Sequence, residues 1–281
     1  MIEVVAPGPR TLVQDLGRPG WAEYGVGPSG AFDRGALRLA NRLVGNLEDA
    51  AALEALGGGL VLRALAPVVV AVAGAEGPVS ISGRGADRRT PLHLAPGDEL
   101  RLGHPTAGLR AYVAVRGGLA VPRVLGSACT DTLSGVGPAP VAAGDRVAPG
   151  SAYAGPPHVD HAPVRPADGP LRIVAGPRDD WFASGALDLL LATAWTVTPQ
   201  SDRIGVRLDG PALERALGRG ELPSEPVVTG ALQVPPDGRP VLLGPDRPTT
   251  GGYPVIGVVI DDDLDRAAQL RPGDHVRFRL S

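Results

Sequence analysis

Residues 59–74 read GLVLRALAPVVVAVAG, two short apolar runs that are separated by Pro67 and flanked by glycine. Each run has the length of a strand, and the second is dominated by valine, whose branched side chain favours β structure. Runs of the same kind, each bounded by turn residues, begin at Gly59, Pro67, Pro78, Glu99, Leu109, Leu171, Arg239, Tyr253 and His275. The sequence therefore predicts a mainly β fold.

Helical patterns are few and short. Apolar residues spaced for one helix face predict a helix over residues 31–44, with the Ser29 hydroxyl as its N-cap. Three more short helices are predicted at residues 47–56 after an Asn46 cap, at residues 185–194 and at residues 262–270. We therefore expect a few short helices beside the strands.

The loop before the first helix contains the spacing Gly25-x-Gly27-x-x-Gly30, which is also the spacing of a dinucleotide-binding turn. That turn requires a buried strand leading into the glycines, and residues 15–24, DLGRPGWAEY, contain no apolar run. Pro28 also removes a backbone N–H group that would bind phosphate. We interpret this loop as a glycine–proline turn that does not bind a nucleotide.

A glycine–aspartate turn recurs at residues 95–103, 142–150 and 271–280, mostly just before a strand-like run. The repetition suggests two barrel-type units that close in the same way, although the turn preference of Gly and Asp is an equally good explanation. Residues 152–170 are rich in proline and poor in aliphatic side chains. We predict an N-terminal β-rich unit at 1–151, a linker or crossover at 152–170 and a C-terminal β-rich unit at 171–281.

The composition excludes several functions. All 27 basic residues are arginine, so the chain has no Schiff-base lysine, no Walker A lysine and no lysine that could carry biotin. A formal net charge of -3 leaves no basic excess, and we predict no nucleic-acid partner. One cysteine favours a reducing compartment, and no signal-like N-terminus or bilayer-length apolar run is found. We expect a cytoplasmic protein without a membrane partner.

Four polar stretches lie on predicted turns, at residues 11–20, 126–135, 198–210 and 222–257. Hydroxyls, amides and charges held on rigid turns suit recognition of a small polar molecule. For any single residue, the alternative to a binding role is a structural one, in a capped turn or an ion pair. No histidine lies in the loop of Cys129, which is interpreted as an inert buried residue. The pair His158-x-x-His161 falls in the predicted linker and is interpreted as solvated, so no metal site is predicted.

Taken together, these stretches resemble a known family. Five blocks of the sequence are similar, in the same order, to those of the biotin-dependent carboxyltransferase/allophanate hydrolase subunit 2 family. They are TLVQDLGRPGWAEYGVGPSGAFDRGALRLANRLVGN from Thr11, LGSACTDTLSGVG from Leu125, AGPRDDWF from Ala175, SDRIGVRLDG from Ser201 and SEPVVTGALQVPPDGRPVLLGPDRPTTGGYPVIG from Ser224. The resemblance covers residues 2–280 and is strongest to the stand-alone 5-oxoprolinase members. One departure is Cys129, where family members often carry serine.

The resemblance implies a cyclophilin-like β-barrel architecture and a heteromeric ATP-dependent 5-oxoprolinase. In that assembly the chain would act with companion subunits A and B to cleave 5-oxo-L-proline to L-glutamate, and it would be inactive alone. ATP would be used at the level of the complex, and no biotin would be attached to this chain. Two alternatives stay open: a non-catalytic regulator that binds a kinase-inhibitor companion protein, and a carboxyltransferase half that acts on urea-like amides.

The same resemblance, combined with the chemistry of lactam opening, suggests roles for particular side chains. Opening an amide requires cations or N–H donors for the developing oxyanion and a carboxylate for the attacking water. The residues assigned to catalysis are Asp15, Arg18, Arg203 and Asp246. Those assigned to binding of the small-molecule substrate are Ser29, Asp33, Gln233, Arg247, Thr249, Thr250 and Tyr253.

Overall fold

The computed structural model describes residues 1–157 and 169–281, and these form two compact units. The first unit contains most of the chain up to residue 157. Pro19–Pro28 and Thr132–Ser134 are the exceptions, because they group with the later residues in the second unit. The centre of the predicted linker, with His158 and His161, lies outside the described residues, so the predicted domain boundaries stay a prediction.

Up to residue 157, the described part of the first unit contains eleven strands and one α-helix. Their bounds are β1 Ile2–Pro7, β2 Arg10–Gln14, α1 Arg34–Leu43, β3 Ala52–Leu56, β4 Leu60–Ala64, β5 Val68–Glu76, β6 Val79–Ile81, β7 Arg84–Ala86, β8 Leu92–Leu94, β9 Glu99–Leu102, β10 Ala107–Val115 and β11 Arg146–Val147. The strands form two antiparallel sheets, with the orders β11-β1-β4-β9-β6-β7 and β2-β3-β10-β5-β8. Alternate side chains from both sheets meet in one buried core that includes Ile2, Leu62 and Val113. Helix α1 packs on the other face of the five-stranded sheet, where Leu37 meets Ala73 and Tyr112.

The second unit is built on one eight-stranded sheet. Its elements are β12 Leu171–Ala175, α2 Ala186–Ala192, β13 Trp195–Val197, β14 Gly205–Asp209, β15 Glu225–Pro226, β16 Ala231–Gln233, β17 Val241–Leu243, β18 Thr250–Gly251, β19 Val255–Val259, α3 Asp261–Ala267, β20 His275–Val276 and β21 Phe278–Leu280. The sheet order is β20-β13-β14-β17-β16-β19-β12-β21, and β15 pairs separately with β18. Strands β20 and β21 stand at opposite ends of this order, yet only Arg277 separates them in sequence. The sheet therefore curls into a nearly closed barrel.

The predicted mainly β, barrel-type fold with few short helices is confirmed. Helices α2 and α3 lie where two of the short helices were predicted. The helix predicted at 47–56 is wrong, because residues 52–56 form β3 between β2 and β10. Pairing on both sides satisfies the backbone of this alanine-rich segment and overrides its helical preference. No helix within 1–157 or 169–281 has the length and apolar character needed to cross a membrane.

The recurring glycine–aspartate turn has the same construction each time. In each copy the aspartate carboxylate accepts a hydrogen bond from the N–H three residues earlier: Asp98 from Ala95, Asp145 from Ala142 and Asp274 from Arg271, at 2.8, 2.7 and 2.8 Å. The glycines before the aspartates have φ of 90°, 91° and 89°. Such a conformation strains any residue with a Cβ. A strand follows each turn, namely β9, β11 and β20.

Candidate functional site

The carboxylate of Asp15 fastens two loops of the first unit together. Its Oδ1 accepts hydrogen bonds from Gly17 N at 2.8 Å and from the Ser127 hydroxyl at 2.6 Å. Its Oδ2 accepts from Ala128 N at 2.7 Å, and the exposed Arg123 lies 4.0 Å away. Ser127 Oγ in turn accepts from Cys129 N at 3.0 Å. The buried carboxylate of Asp15 is thus engaged by the polypeptide itself.

Three other side chains hold the carbonyl groups that follow Ser127. Gln14 Nε2 and Ser29 Oγ both donate to Thr130 O, at 2.8 and 3.2 Å. Arg18 Nη2 donates to Cys129 O at 2.5 Å. The side chains of Gln14, Asp15, Arg18 and Ser29 therefore form one hydrogen-bonded group with residues 127–130, which we call the first cluster.

Two polar atoms of the first cluster are buried without a hydrogen-bond partner among the described residues, Gln14 Oε1 and Arg18 Nη1. Arg18 is only 1% exposed. Gly137 makes room for it, because a Cβ at this glycine would lie 3.2 Å from Arg18 Nη2 and 2.0 Å from Cys129 O. Arg18 is thus enclosed by the chain, a position that suits holding the 127–130 loop better than contacting a dissolved molecule.

Asp33 caps α1, and the predicted Ser29 cap is wrong. Asp33 has an extended backbone, and its Oδ1 accepts from Ala36 N at 2.7 Å. The helix starts at Arg34, later than predicted, so Ser29 is too far from its first N–H groups. Ser29 instead adopts a positive φ of 49° in the preceding loop. The sequence suggested Ser29 because serine is a common cap, but aspartate caps helices equally well.

A buried polar network that the sequence analysis missed supports the backbone at Asp33. The Tyr112 hydroxyl accepts from Asp33 N at 2.9 Å and donates to Glu54 Oε2 at 2.7 Å. Glu54 Oε1 lies 3.7 Å from Arg110 Nε, and the Arg110 guanidinium lies over the Phe32 ring at 4.8 Å. These side chains come from the strands β3 and β10, whose apolar pattern gave no signal of a polar interior.

The second unit contains a buried bidentate ion pair. Arg203 donates from Nε to Asp246 Oδ2 at 2.8 Å and from Nη2 to Asp246 Oδ1 at 3.0 Å. Asp246 Oδ2 also accepts from Thr132 N at 2.9 Å and from Thr132 Oγ1 at 2.7 Å. Three of these four bonds reach Oδ2 and one reaches Oδ1, so the chain itself engages both oxygens of this buried carboxylate. We call Arg203, Asp246 and Thr132 the second cluster.

Arg247 follows the second cluster in sequence but has a different environment. It is half-buried, and burial lowers the pKa of its guanidinium. Its Nη1 donates to Pro248 O at 3.0 Å, and its Nε is buried without a hydrogen-bond partner among the described residues. Gly27 packs on its backbone, since a Cβ there would lie 3.1 Å from Arg247 O.

The remaining predicted binding residues gather around the short β15–β18 pair. Gln233 Nε2 donates to Tyr253 O at 3.2 Å, and a Cβ at Gly251 would lie 2.4 Å from the same nitrogen. Thr250 pairs with Pro226 across the two strands, and Thr249 O accepts from Val227 N. The Tyr253 side chain is 44% exposed. Arg178, which the sequence analysis did not select, donates twice to Glu225 Oε2 on β15, at 3.0 and 2.6 Å.

Cys129 has no features of a nucleophile. It is fully buried, and burial raises the pKa of its thiol. Among residues 1–157 and 169–281, no group of three or more His, Cys, Asp or Glu side chains is placed to hold a metal ion.

The predicted site residues fall into two groups, one in each compact unit. Asp15, Arg18, Ser29 and Asp33 belong to the first unit. The second unit contains Arg203, Gln233, Asp246, Arg247, Thr249, Thr250 and Tyr253. The geometry gives most of these side chains a structural partner, and their roles in catalysis or binding stay predictions.

The described residues thus form a mostly β protein in which the second unit contains a nearly closed, barrel-like sheet. The chain belongs to the family described as carboxyltransferase domain, subdomain A and B, whose model matches residues 24–280.

Individual relatives match nearly the whole chain. It is 34% identical to the C subunit of the Escherichia coli 5-oxoprolinase and 31% identical to that of Haemophilus influenzae, covering 99% of this chain and 90% of each relative. The crystal structure of Kluyveromyces lactis urea amidolyase superposes with a TM-score of 0.92 at 31% identity. That match covers 99% of this chain but only 18% of the much longer amidolyase.

Proposed function

We propose that this chain is a subunit of a cytoplasmic, ATP-dependent 5-oxoprolinase that cleaves 5-oxo-L-proline to L-glutamate. The observation that carries the proposal is the match to the C subunit of the Escherichia coli 5-oxoprolinase, which spans 99% of this chain and 90% of that protein. A match along nearly the whole of both sequences supports a subunit of the same kind. The companion partners would be subunits A and B.

Lactam opening requires a carboxylate for the attacking water, and each of the two clusters contains one. Both oxygens of each carboxylate, Asp15 and Asp246, accept hydrogen bonds from the chain itself, and both residues are buried. We therefore assign both to positioning: Asp15 holds the 127–130 loop, and Asp246 holds Thr132. Arg203 is committed to Asp246 in the same way.

Substrate contacts are assigned to groups that solvent can reach. Thr250 and Tyr253 are exposed, and Arg247 is half-buried. A hydroxyl, a phenol and a guanidinium supply the donors that a lactam oxygen and a carboxylate require. Gln233, whose amide touches the backbone of Tyr253, orients that tyrosine.

The residues of this chain do not fit a nucleotide site of the Walker type. The chain has no lysine for the phosphates, and Gly25–Gly30 is not preceded by a strand. We therefore place ATP with the complex as a whole. The absence of lysine also means that biotin would be carried by another protein.

A second candidate is a carboxyltransferase half that acts on urea or a related amide. The TM-score of 0.92 to urea amidolyase favours it. This function requires a separate biotin carrier protein, whereas the 5-oxoprolinase function does not.

Reconstitution separates these proposals. Glutamate and ADP release from 5-oxo-L-proline and ATP would be measured with this chain alone, with subunits A and B, and with all three. Activity only in the full mixture is the expected result. Full activity without this chain, despite its binding to a companion subunit, would contradict the proposal and favour the regulator. Activity toward urea that depends on added biotinylated carrier and bicarbonate would favour the carboxyltransferase.

A further inference from the structure

Three arginines were predicted to serve the site, and their surroundings differ. Arg18 is enclosed in the first cluster at 1% exposure, and Arg203 forms a bidentate pair with Asp246. Arg247 is half-buried and forms no ion pair with any residue that the structure describes. Of these three cations, Arg247 therefore combines access to solvent with charge that no carboxylate balances.

We propose that the Arg247 guanidinium binds the anionic oxygens of a small-molecule ligand, and that its ligand is the carboxylate of the lactam substrate. The identification of the carboxylate rests on the proposed 5-oxoprolinase function. Phosphate oxygens of a nucleotide have the same chemistry and are the other source of such an anion. Arginine suits either group because its planar N–H fork donates two parallel hydrogen bonds.

The energetics of the free guanidinium support binding of an anion. A charge removed from water without a partner is costly, and among the described residues the hydrogen bond that Arg247 makes is to one neutral acceptor, Pro248 O. The lowered pKa of this guanidinium has the same cause, its partial burial. An anion beside the outer nitrogens would add hydrogen bonds there and balance the charge.

The backbone at Arg247 is fixed before any ligand arrives. Asp246 N donates to Arg203 O at 3.2 Å, and the Asp246 side chain makes its four bonds to Arg203 and Thr132. Arg247 N donates to Gly244 O at 3.4 Å, which closes a turn. A site built on such a fixed turn loses little conformational entropy when a ligand binds.

Arg247→Met tests the proposal in the reconstituted complex with subunits A and B. We expect KM for 5-oxo-L-proline to rise by about tenfold to a hundredfold, the usual effect of losing a charged hydrogen-bonded pair. KM for ATP should stay unchanged, and Arg247→Lys should recover part of the loss. With 2-pyrrolidinone, the same lactam without the carboxylate, wild type and Arg247→Met should have equal kcat/KM.

The matched control is Arg207→Met, which removes an exposed arginine of β14 in the same unit. It should leave both KM values unchanged, and co-elution with subunits A and B confirms that each variant assembles. A rise in KM for ATP alone would identify the anion as a nucleotide phosphate. Changes below about twofold in both KM values would overturn the inference.

A binding measurement keeps the test independent of turnover. The wild-type chain and Arg247→Met would each be titrated calorimetrically with 5-oxo-L-proline and with ATP. If the complex makes no glutamate, the proposed function fails and this titration alone decides. Tighter binding of either anion by the wild type supports the inference. Equal affinities in the two proteins, or no binding by either, refute it.

Discussion

Arg203 and Asp246 form a bidentate ion pair in which the arginine is 3% exposed and the aspartate side chain is fully buried. Burial makes the pair sensitive to loss of one partner, because the remaining charge then has neither water nor a counter-ion. Thr132 adds two hydrogen bonds to the same carboxylate. Substitutions in this cluster therefore test stability as much as function.

Replacing Arg203 by methionine should lower the free energy of unfolding by about 3–5 kcal/mol. Arg203→Met combined with Asp246→Leu should cost less than the sum of the two single changes, by about 0.5–3 kcal/mol, because the isolated charge is gone. Urea denaturation followed by circular dichroism measures both quantities.

The exposed pair Arg239–Asp209 is the control for this prediction. Its side chains are 50% and 58% exposed, with 2.7 Å between Arg239 Nε and Asp209 Oδ1. Arg239→Met should cost less than about 1 kcal/mol. Additive losses in the Arg203 and Asp246 variants would show that the buried pair has no coupling.

Asp33→Ala should remove the N-cap of α1. We expect a loss of about 1 kcal/mol and faster hydrogen exchange of the Ala36 amide, which donates to Asp33 Oδ1 in the native protein. Asp33→Asn should retain most of the stability. Ser29→Ala should leave hydrogen exchange of the Ala36 amide unchanged. If both alanine variants accelerated this exchange equally, Ser29 would share the capping role and the prediction would be wrong.

Gly137→Ala should disturb the enclosure of Arg18. Its φ is 102°, and the new Cβ would lie 2.0 Å from Cys129 O, so the backbone must move. We expect a loss of at least about 2 kcal/mol. Gly135→Ala is the matched control, with a φ of 70° and open space around the new Cβ, and should cost about 1–2 kcal/mol. Similar midpoints for the two variants in thermal unfolding would contradict the role of close packing.

Asp263 should make stability depend on pH in the acid range. Burial acts to raise the pKa of this carboxyl, but the hydrogen bonds from the side chain and backbone N–H of Arg172, together with the charges of Arg266 and Arg172, outweigh it and lower the pKa. A lowered folded-state pKa gives stability that is present above the ordinary aspartate value of about 3.9. That stability is lost as the pH falls through the lower folded-state value.

Thermal midpoints of wild type and Asp263→Asn should therefore differ at neutral pH and converge below about pH 4. A difference that stays constant down to about pH 2 would show that the Asp263 charge makes no contribution.

Strand positions were predictable because apolar runs and turn residues have local causes. The valine run at 67–74 became β5, and each glycine–aspartate turn precedes a strand. The helix predicted at 47–56 failed because pairing of β3 with β2 and β10 is a long-range effect. The near closure of the second sheet through β20 and β21 has the same long-range origin, and its one local signal was the glycine–aspartate turn before β20.

The sequence was sufficient to select the polar residues of the candidate site but not to identify their hydrogen-bond partners. Polar turns drew attention to Asp15 and Asp246, yet their partners Ser127 and Thr132 lie more than a hundred residues away in sequence. The network of Glu54 and Tyr112 was missed because both lie inside strands with apolar neighbours. Spacing cannot reveal such pairs, since the fold alone brings them into contact.

The two bonds from Thr132 to Asp246 also bear on how such chains exchange parts. The second unit takes Thr132–Ser134 and Pro19–Pro28 from the first half of the sequence, so it is not one continuous block. A chimera joined near residue 169 would combine Asp246 from one parent with Thr132 from another. A recombinant of two relatives should therefore fold only when both short segments come from the same parent as the C-terminal half. This requirement favours inheritance of the whole chain as a single module.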